Sequence, residues 1–204
     1  MSAPQADLAQ DAVVALFRDC GALLEGHFLL TSGLHSPFYL QCARVLMDPQ
    51  RAERVCAALA ARLRQDHPGL ACDVVIAPAL GGVVLGHELA RQLDALSMFV
   101  ERVDGRFALR RGFAVEPGAR VVIAEDVVTT GLSTRECIAC VEAAGGDVVA
   151  AACLVDRSGG KAKLGVPLTA LATLELPLYR PEDVPPELAA RPAVKPGSRQ
   201  LPAA

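Results

Sequence analysis

Lysine is nearly missing from this chain, which takes its positive charge almost entirely from arginine. Of the 20 basic residues, the only lysines are Lys161, Lys163 and Lys195. A catalytic or phosphate-binding lysine would have to be one of these three. With a formal net charge of −3, the chain also lacks the basic excess of proteins that bind nucleic acid or membrane surfaces. We therefore expect no nucleic acid and no membrane among its partners.

Targeting and membrane-spanning segments are not recognisable either. No uncharged apolar run approaches the roughly 18 to 20 residues of a membrane span. Asp7, Asp11, Arg18 and Asp19 interrupt any apolar region that a secretory signal would need. The seven cysteines are an odd number, and no second ligand pair at zinc spacing follows the C-x-x-C motif at 137–140. These absences favour a cytoplasmic protein with reduced thiols.

Two common nucleotide-binding motifs are absent as well. The chain has neither the G-x-x-x-x-G-K-[ST] of P-loop proteins nor the G-x-G-x-x-G of dinucleotide-binding folds. The glycine-rich "GGVVLG" at 81–86 has a different spacing, and its Gly82 and Gly86 could simply allow a helix to pack closely. Any phosphate site must therefore be of another type.

What the chain does contain is a set of apolar strands that alternate with helical patterns. The runs "DVVIAP", "ARVVIAE" and "DVVAAACLVD" are hydrophobic throughout, as is typical of parallel strands covered on both faces. We therefore predict an α/β fold with a doubly wound parallel sheet. The segment "RVDGRFALRRG" at 102–112 is arginine-rich, lacks clear periodicity and is expected to be a loop.

The 204 residues suit one globular domain with a small appendage. We expect an N-terminal helix within 7–24 that stops at Gly21, and two short strands around a Thr-Ser-Gly turn within 27–42, together forming a small N-terminal region over 1–45. The α/β core should occupy 46–175 and open with a helix that runs to about Gln65, with Asp48 as its N-cap and Pro49 in its first turn. The proline-rich tail at 176–204 is expected to be an irregular strap on the surface.

The most informative stretch is "VVIAEDVVTTGLST" at 121–134, where Glu125 and Asp126 follow an apolar run. Carboxylates at such a position need a partner, which could be protein, metal or ligand. The loop amides, hydroxyls and helix N-terminus that follow are the components of a phosphate cradle, and ligands bind beyond the carboxyl ends of parallel strands. The combination favours a ligand with hydroxyls beside a phosphate, such as ribose 5-phosphate. Alternatively, Asp126 or Ser133 caps the helix and Glu125 lies on the surface.

The same stretch resembles the phosphoribosyl pyrophosphate (PRPP) binding motif of the type I phosphoribosyltransferases. Over residues 20–175 the chain is similar to the orotate phosphoribosyltransferases. "GHFLLTSGLHSPFYLQC" resembles their N-terminal hood, "APALGG" their pyrophosphate loop and "LVDRSGG" their orotate-contacting strand end. The resemblance implies that PRPP and orotate react to give orotidine 5′-monophosphate and pyrophosphate in pyrimidine (UMP) biosynthesis. It also implies Mg²⁺, bound through PRPP rather than by protein side chains, and a homodimer with shared active sites.

The site residues are implied by the resemblance, position by position. Glu125 and Asp126 would hold the ribose hydroxyls, while Arg102 and Arg106 would belong to a mobile catalytic loop that closes over PRPP. The 5′-phosphate would bind Val127, Val128, Thr129, Thr130, Gly131, Leu132 and Ser133. Pyrophosphate would face Ala79, Leu80, Gly81 and Gly82. Orotate would contact Thr129, Arg157, Phe38 and Tyr39.

The chain departs from better-known members of this family where they carry lysine. It has Thr31 in the hood, Gly81 in the pyrophosphate loop and only arginines in the mobile loop. Arginine cannot replace a lysine that donates a proton, so the identity of any general acid stays open. Among Arg106, Arg110 and Arg111, the sequence does not indicate which would contact pyrophosphate.

Other readings of the same residues remain open at this point. Arg157 could form a surface ion pair with Asp156 or a neighbouring residue, and segment 102–112 could be a solvated surface loop. The chain could also be a type I transferase for another base, or a PRPP-sensing regulator without catalysis. Arg157 favours a substrate with a carboxylate, and the low positive charge disfavours a regulator that binds nucleic acid.

Overall fold

A six-stranded sheet organises the fold in the computed structural model, which describes residues 8–30 and 32–195. Thr31 therefore lies outside the described residues. The elements in chain order are α1 (Gln10–Asp19), β1 (Leu23–Leu29), β2 (His35–Leu40), α2 (Ala43–Leu46), α3 (Pro49–Asp66), β3 (Val74–Pro78), α4 (Val83–Leu93), β4 (Leu96–Val103), β5 (Arg106–Leu109), β6 (Arg120–Val128), α5 (Leu132–Ala143), β7 (Asp147–Asp156), β8 (Leu168–Thr173), a 3₁₀ turn (Pro181–Asp183) and α6 (Pro186–Ala189).

The strands lie in the order β5-β4-β3-β6-β7-β8, and all neighbours are parallel except β4 and β5. Apolar side chains of α1, α3 and α4 pack on one face of the sheet, and those of α5 pack on the other. The prediction of a doubly wound α/β fold is confirmed, with an antiparallel edge strand added. The chain order reverses between β3 and β6, which creates a topological switch point at their carboxyl ends.

Close packing on one face depends on Gly86 of α4. A Cβ atom added there would lie 2.9 Å from the Cβ of Ala77 in β3, too close for two carbon atoms. The glycines of "GGVVLG" therefore let α4 lie against the sheet, as the sequence suggested. On this same face, α3 begins as predicted, with the Asp48 carboxylate accepting hydrogen bonds from the amides of Gln50 and Arg51.

The expectation of a loop over 102–112 is wrong for residues 102–109, which form a hairpin. β4 continues to Val103 and β5 returns beside it, joined by Asp104 and Gly105 with φ angles of 49° and 81°. Positive φ at both central residues is the geometry of a two-residue type I′ turn, for which Asp-Gly is a favoured pair. The dipeptide is a local hairpin signal that a search for periodicity does not detect.

The N-terminal helix α1 ends at Asp19, just before the predicted stop at Gly21, and β1 begins at Leu23. Gly21, with a φ of 66°, turns the chain between them. β1 and β2 form the expected antiparallel pair, and the described part of the tail bonds to both of its outer edges at Tyr179 and Val194.

Within the ranges described, no helix has the length and apolar character required to cross a membrane.

Candidate active site

Two loops meet at the switch point, one after β3 and the other after β6. A Cβ atom built on Gly81 would lie 3.1 Å from Oδ2 of Asp126, which shows how closely the 79–82 loop approaches the acidic pair. The Ala79–Leu80 peptide bond in this loop is cis, and the Leu80 side chain points largely into solvent. The structure thus brings together the two segments that the sequence placed at the carboxyl edge of the sheet.

Glu125 and Asp126 lie side by side near the carboxyl end of β6 but have different surroundings, because neighbouring side chains on a strand point to opposite faces. Glu125 is buried near the Ser133 and Thr134 hydroxyls at the start of α5, and its Oε2 atom has no hydrogen-bond partner among the described residues. Asp126 faces Gly81 and accepts a hydrogen bond from the Val127 amide at 2.8 Å.

The helix-cap alternative for the acidic pair is wrong. Gly131 occupies the N-cap position of α5, and no side chain among the residues that the structure describes caps that helix. Glu125, which that alternative placed on the surface, is only 8% exposed.

Burial makes two adjacent negative charges unfavourable here. It raises the pKa of Glu125 to about 8, with a further contribution from Asp126, while hydrogen bonds from the Ser133 and Thr134 hydroxyls oppose the shift. Burial also raises the pKa of Asp126, against hydrogen bonding from the Val127 amide. The ionised pair would gain from a ligand that donates hydrogen bonds or carries positive charge.

Glu125→Gln is expected to change how stability depends on pH. A carboxyl group whose pKa rises on folding binds more protons in the folded state, so stability is highest below its ordinary pKa and falls as pH rises to about 8. At about 1.4 kcal/mol per pKa unit, the wild-type protein should lose at least about 2 kcal/mol relative to the variant between about pH 5 and pH 8. Urea unfolding of both proteins measures this difference. Glu142→Gln, an exposed glutamate on α5, is the control, and parallel pH profiles for wild type and Glu125→Gln would contradict the assignment.

The loop between β6 and α5 offers free backbone donors. The N–H groups of Thr130, Gly131 and Ser133 find no hydrogen-bond acceptor among residues 8–30 and 32–195. Arg135 fixes the loop by donating to the carbonyl oxygens of Thr130 at 2.9 Å and Lys163 at 3.1 Å. Together with the positive end of the α5 dipole, these donors form a site suited to a phosphate group.

Gly131→Ala should lower the free energy of unfolding more than Gly112→Ala does. Both glycines have positive φ, 73° and 76°, so each substitution costs about 1 to 2 kcal/mol in the backbone. At Gly131 the new Cβ would also lie 2.5 Å from Cδ2 of Leu164, whereas nothing lies within 4 Å at Gly112. We expect an additional loss of about 1 to 3 kcal/mol at Gly131, measured by urea unfolding. Equal losses of unfolding free energy in the two variants would show that the loop accommodates the new Cβ atom at residue 131 without strain.

A cavity of about 450 Å³ lies beside this loop, beneath the turn between β1 and β2. It is lined by Leu29, Leu30, Ser32, Leu34, Tyr39, Thr129, Thr130, Arg157, Ser158 and Leu178. A volume of this size suits a small planar ligand, and most of the wall is apolar.

Arg157 is the charged residue of the cavity wall. Its Nε and Nη2 atoms are buried and have no hydrogen-bond partner among the described residues, and burial lowers its pKa. The predicted alternative, a pair with Asp156, is wrong, because the Asp156 carboxylate instead accepts from the amides of Ser158 at 2.7 Å and Gly160 at 2.8 Å. An unpaired guanidinium at this position is suited to a planar carboxylate, which it can bind through two parallel hydrogen bonds.

Of the two aromatic residues predicted near the base, Tyr39 lines the cavity and Phe38 does not. Phe38 packs against the apolar core, because successive side chains of β2 point to opposite faces. The apolar wall of the cavity was not predicted from the sequence. The leucines that flank the Ser-Gly turn could have indicated part of this wall, but Leu178 comes from the tail and belongs to no local sequence pattern.

The arginines of segment 102–112 lie outside the cavity. Arg102 bonds Oε2 of Glu136 at 2.5 Å and its guanidinium lies 4.1 Å from the Phe107 ring centroid. Arg111 is held by Glu101 at 2.8 Å. The side chains of Arg106 and Arg110 make no hydrogen bond or ion pair within the described part of the chain. The hydrogen bonds from Arg111, and to a lesser extent the nearby charge of Arg110, lower the pKa of the Glu101 carboxyl.

Strand register gives the positions of these arginines along the direction of the strands. Val100 pairs with Pro78, the last residue of β3, and also with Leu109. Arg102 and Arg106 therefore lie beyond the carboxyl end of β3, at the level of the last residues of β6, and Arg110 directly follows β5. Nowhere in the described ranges do three or more histidine, cysteine, aspartate or glutamate side chains form a group that could hold a metal ion.

Comparison with known proteins identifies the family. A model described as phosphoribosyl transferase domain matches residues 46–164. Orotate phosphoribosyltransferase of Novosphingobium aromaticivorans is 57% identical over 197 residues, covering 96% of this chain and 100% of that protein. The chain belongs to the orotate phosphoribosyltransferase family. Another relative with this name, from Rhizorhabdus wittichii, is 58% identical over 197 residues and covers 97% of this chain and 100% of that protein.

Solved structures of orotate phosphoribosyltransferases share the fold. The enzyme from Aeropyrum pernix has a TM-score of 0.66 and 30% identity, covering 80% of this chain and 94% of that one. An adenine phosphoribosyltransferase has a TM-score of 0.62 at 17% identity and covers 76% of this chain and 98% of that one, a likeness of fold alone. In this family member, β8 and the tail follow the matched domain, which ends at residue 164.

Proposed function

We propose that the protein transfers the 5-phosphoribosyl group from PRPP to orotate, giving orotidine 5′-monophosphate and pyrophosphate in pyrimidine biosynthesis. The observation that carries the proposal is the unpaired, buried guanidinium of Arg157 in a cavity next to a phosphate-binding loop and a carboxylate pair. Orotate is a small planar base with a carboxylate, so it matches both the size and the charge of this cavity. A purine has no carboxylate for Arg157 to bind.

PRPP would lie across the switch point. Its 5′-phosphate would accept hydrogen bonds from the free amides of the 129–133 loop, and its ribose hydroxyls would donate to Asp126 and Glu125. The pyrophosphate would face the 79–82 loop, which approaches Asp126 closely at Gly81. In this arrangement, ribose C1 would lie between the 79–82 loop and the cavity that contains Arg157.

Catalysis would rest on positioning and charge compensation. Departure of pyrophosphate develops positive charge on the ribose, and the nearby Asp126 carboxylate stabilises that charge. The Asp126 carboxylate beside the 79–82 loop is a hard oxygen donor of the kind Mg²⁺ prefers, so it fits an ion that enters with PRPP. Mg²⁺, when bound, would offset the charge of the leaving pyrophosphate.

Arg106 is the strongest candidate for a pyrophosphate contact from the hairpin. It pairs with Val103, three residues past the β4 residue that faces the end of β3, and has no ion-pair partner among the described residues, whereas Arg111 is bonded to Glu101. Arg102 lies one residue nearer to the end of β3 and would have to leave Glu136 to reach a ligand. We therefore propose Arg106, ahead of Arg110 and Arg111, as the arginine that contacts pyrophosphate.

We further propose a homodimer in the cytoplasm. Leu80 in the pyrophosphate loop and Val84 in the first turn of α4 are large apolar side chains that are exposed, as a subunit interface would require. All seven cysteines are free thiols, in keeping with a reducing compartment. Sedimentation as a single species of 21.4 kDa, the mass of one chain, would contradict the dimer.

Incubation with PRPP, Mg²⁺ and one base at a time tests the proposed reaction. Loss of orotate, followed by ultraviolet absorbance and dependent on PRPP, is the expected result, with release of one pyrophosphate per orotate consumed. Turnover of hypoxanthine but not orotate would indicate a transferase for another base. Binding of PRPP without turnover of any base would favour a PRPP-sensing regulator.

A further inference from the structure

The tail after β8 reaches the cavity that contains Arg157. Leu178 is part of the cavity wall, together with leucines from the turn between β1 and β2. The matched phosphoribosyl transferase domain ends at residue 164, so Leu178 lies outside that domain. We propose that Leu178 is a base-binding residue, held in place by the tail, and this inference rests on the proposed function.

Backbone and side-chain bonds on both sides of Leu178 fix its position. The hydroxyl of Ser36, which is fully buried, donates to the carbonyl oxygen of Pro177 at 3.0 Å. Tyr179 exchanges two backbone hydrogen bonds with His35, each 2.8 Å long. Because its neighbours on each side are bonded to β2, the Leu178 side chain has little freedom to leave the cavity wall.

A second set of bonds ties the tail to the opposite edge of the β1–β2 pair. The Val194 amide donates to the carbonyl oxygen of His27 at 2.8 Å, and the Leu29 amide donates to that of Val194 at 2.9 Å. His27 also bonds the Arg191 carbonyl oxygen through Nδ1 at 2.8 Å. The tail therefore holds the β1–β2 pair from both edges, and Leu29, which it bonds directly, is itself part of the cavity wall.

The exposure of Leu178 indicates what it does. Its side chain is 47% exposed although large, apolar and anchored on both sides. A planar base bound through its carboxylate to Arg157 would cover this apolar surface and remove it from water. Arg157 then supplies charge recognition, and Leu178 supplies an apolar contact with the ring.

Leu178→Ala tests this role. Because the substitution removes apolar contact with the base but none with PRPP, the KM for orotate should rise roughly tenfold while that for PRPP stays within about twofold. The melting temperature should stay unchanged, since the side chain is half exposed. Leu96→Ala, an exposed leucine at the start of β4, is the matched control and should change neither KM.

The two KM values decide the outcome. An unchanged KM for orotate, or equal rises in the KM for both substrates, would overturn the assignment, since the latter is what a purely structural role of the tail would produce. Absence of orotate turnover in the wild-type protein would instead refute the proposed function, so the two failures are distinguishable.

Discussion

Asp126→Asn is expected to lower kcat by about 100- to 1,000-fold while the protein remains folded. The carboxylate lies beside the pyrophosphate loop, where positive charge would develop on the ribose, and removal of one such electrostatic contact typically has this effect. The fold should persist because asparagine has the same shape, and its side-chain oxygen can still accept the 2.8 Å hydrogen bond from the Val127 amide. Steady-state kinetics and thermal unfolding of the same preparation measure both properties.

Asp48→Asn is the control for this substitution. Asp48 caps α3 and is not part of the cavity wall, and asparagine is an equally good N-cap, so neither kcat nor stability should change. Near-normal turnover in Asp126→Asn would remove the carboxylate from the mechanism. Because burial raises the pKa of Asp126, loss of its charge should not reduce stability.

Arg157→Met should have effects of opposite sign on binding and on stability. The KM for orotate should rise by about 100-fold, since a desolvated charged pair with the orotate carboxylate would be lost. The free energy of unfolding should increase by about 1 to 2 kcal/mol, because Nε and Nη2 of Arg157 are buried without partners in the described structure. Orotate saturation kinetics and urea unfolding provide the two measurements.

Arg135→Met is the matched comparison for stability. Its guanidinium donates to the carbonyl oxygens of Thr130 and Lys163, so replacing it should decrease the free energy of unfolding. Stability losses of similar size in the two variants would show that Arg157 has a structural partner. An unchanged KM for orotate in Arg157→Met would exclude the base site around it.

The sequence was sufficient for the architecture because the relevant signals are local and strong. Fully apolar strands between helical patterns predicted the α/β fold, and Asp48 with Pro49 predicted the start of α3. The acidic pair and the loop after it were predicted to lie at the carboxyl edge of the sheet, which the structure confirms. All these features depend on residues close together in the chain.

The parts that could not be predicted depend on strand faces and on distant segments. Phe38 and Tyr39 are neighbours in sequence, yet only Tyr39 lines the cavity, and the start and register of β2 decide which. Leu178 reaches Arg157 only because the tail bonds to β2. Within the described ranges, Nε and Nη2 of Arg157 have no partner because the Asp156 carboxylate already accepts hydrogen bonds from the amides of Ser158 and Gly160.

The most direct test of the central claim is a crystal structure of the protein with orotidine 5′-monophosphate bound. The account predicts the phosphate at the amides of Thr130, Gly131 and Ser133, the ribose hydroxyls at Asp126, and the base carboxylate on the guanidinium of Arg157. A nucleotide bound with its phosphate at Arg157, or at a site away from the switch point, would contradict it.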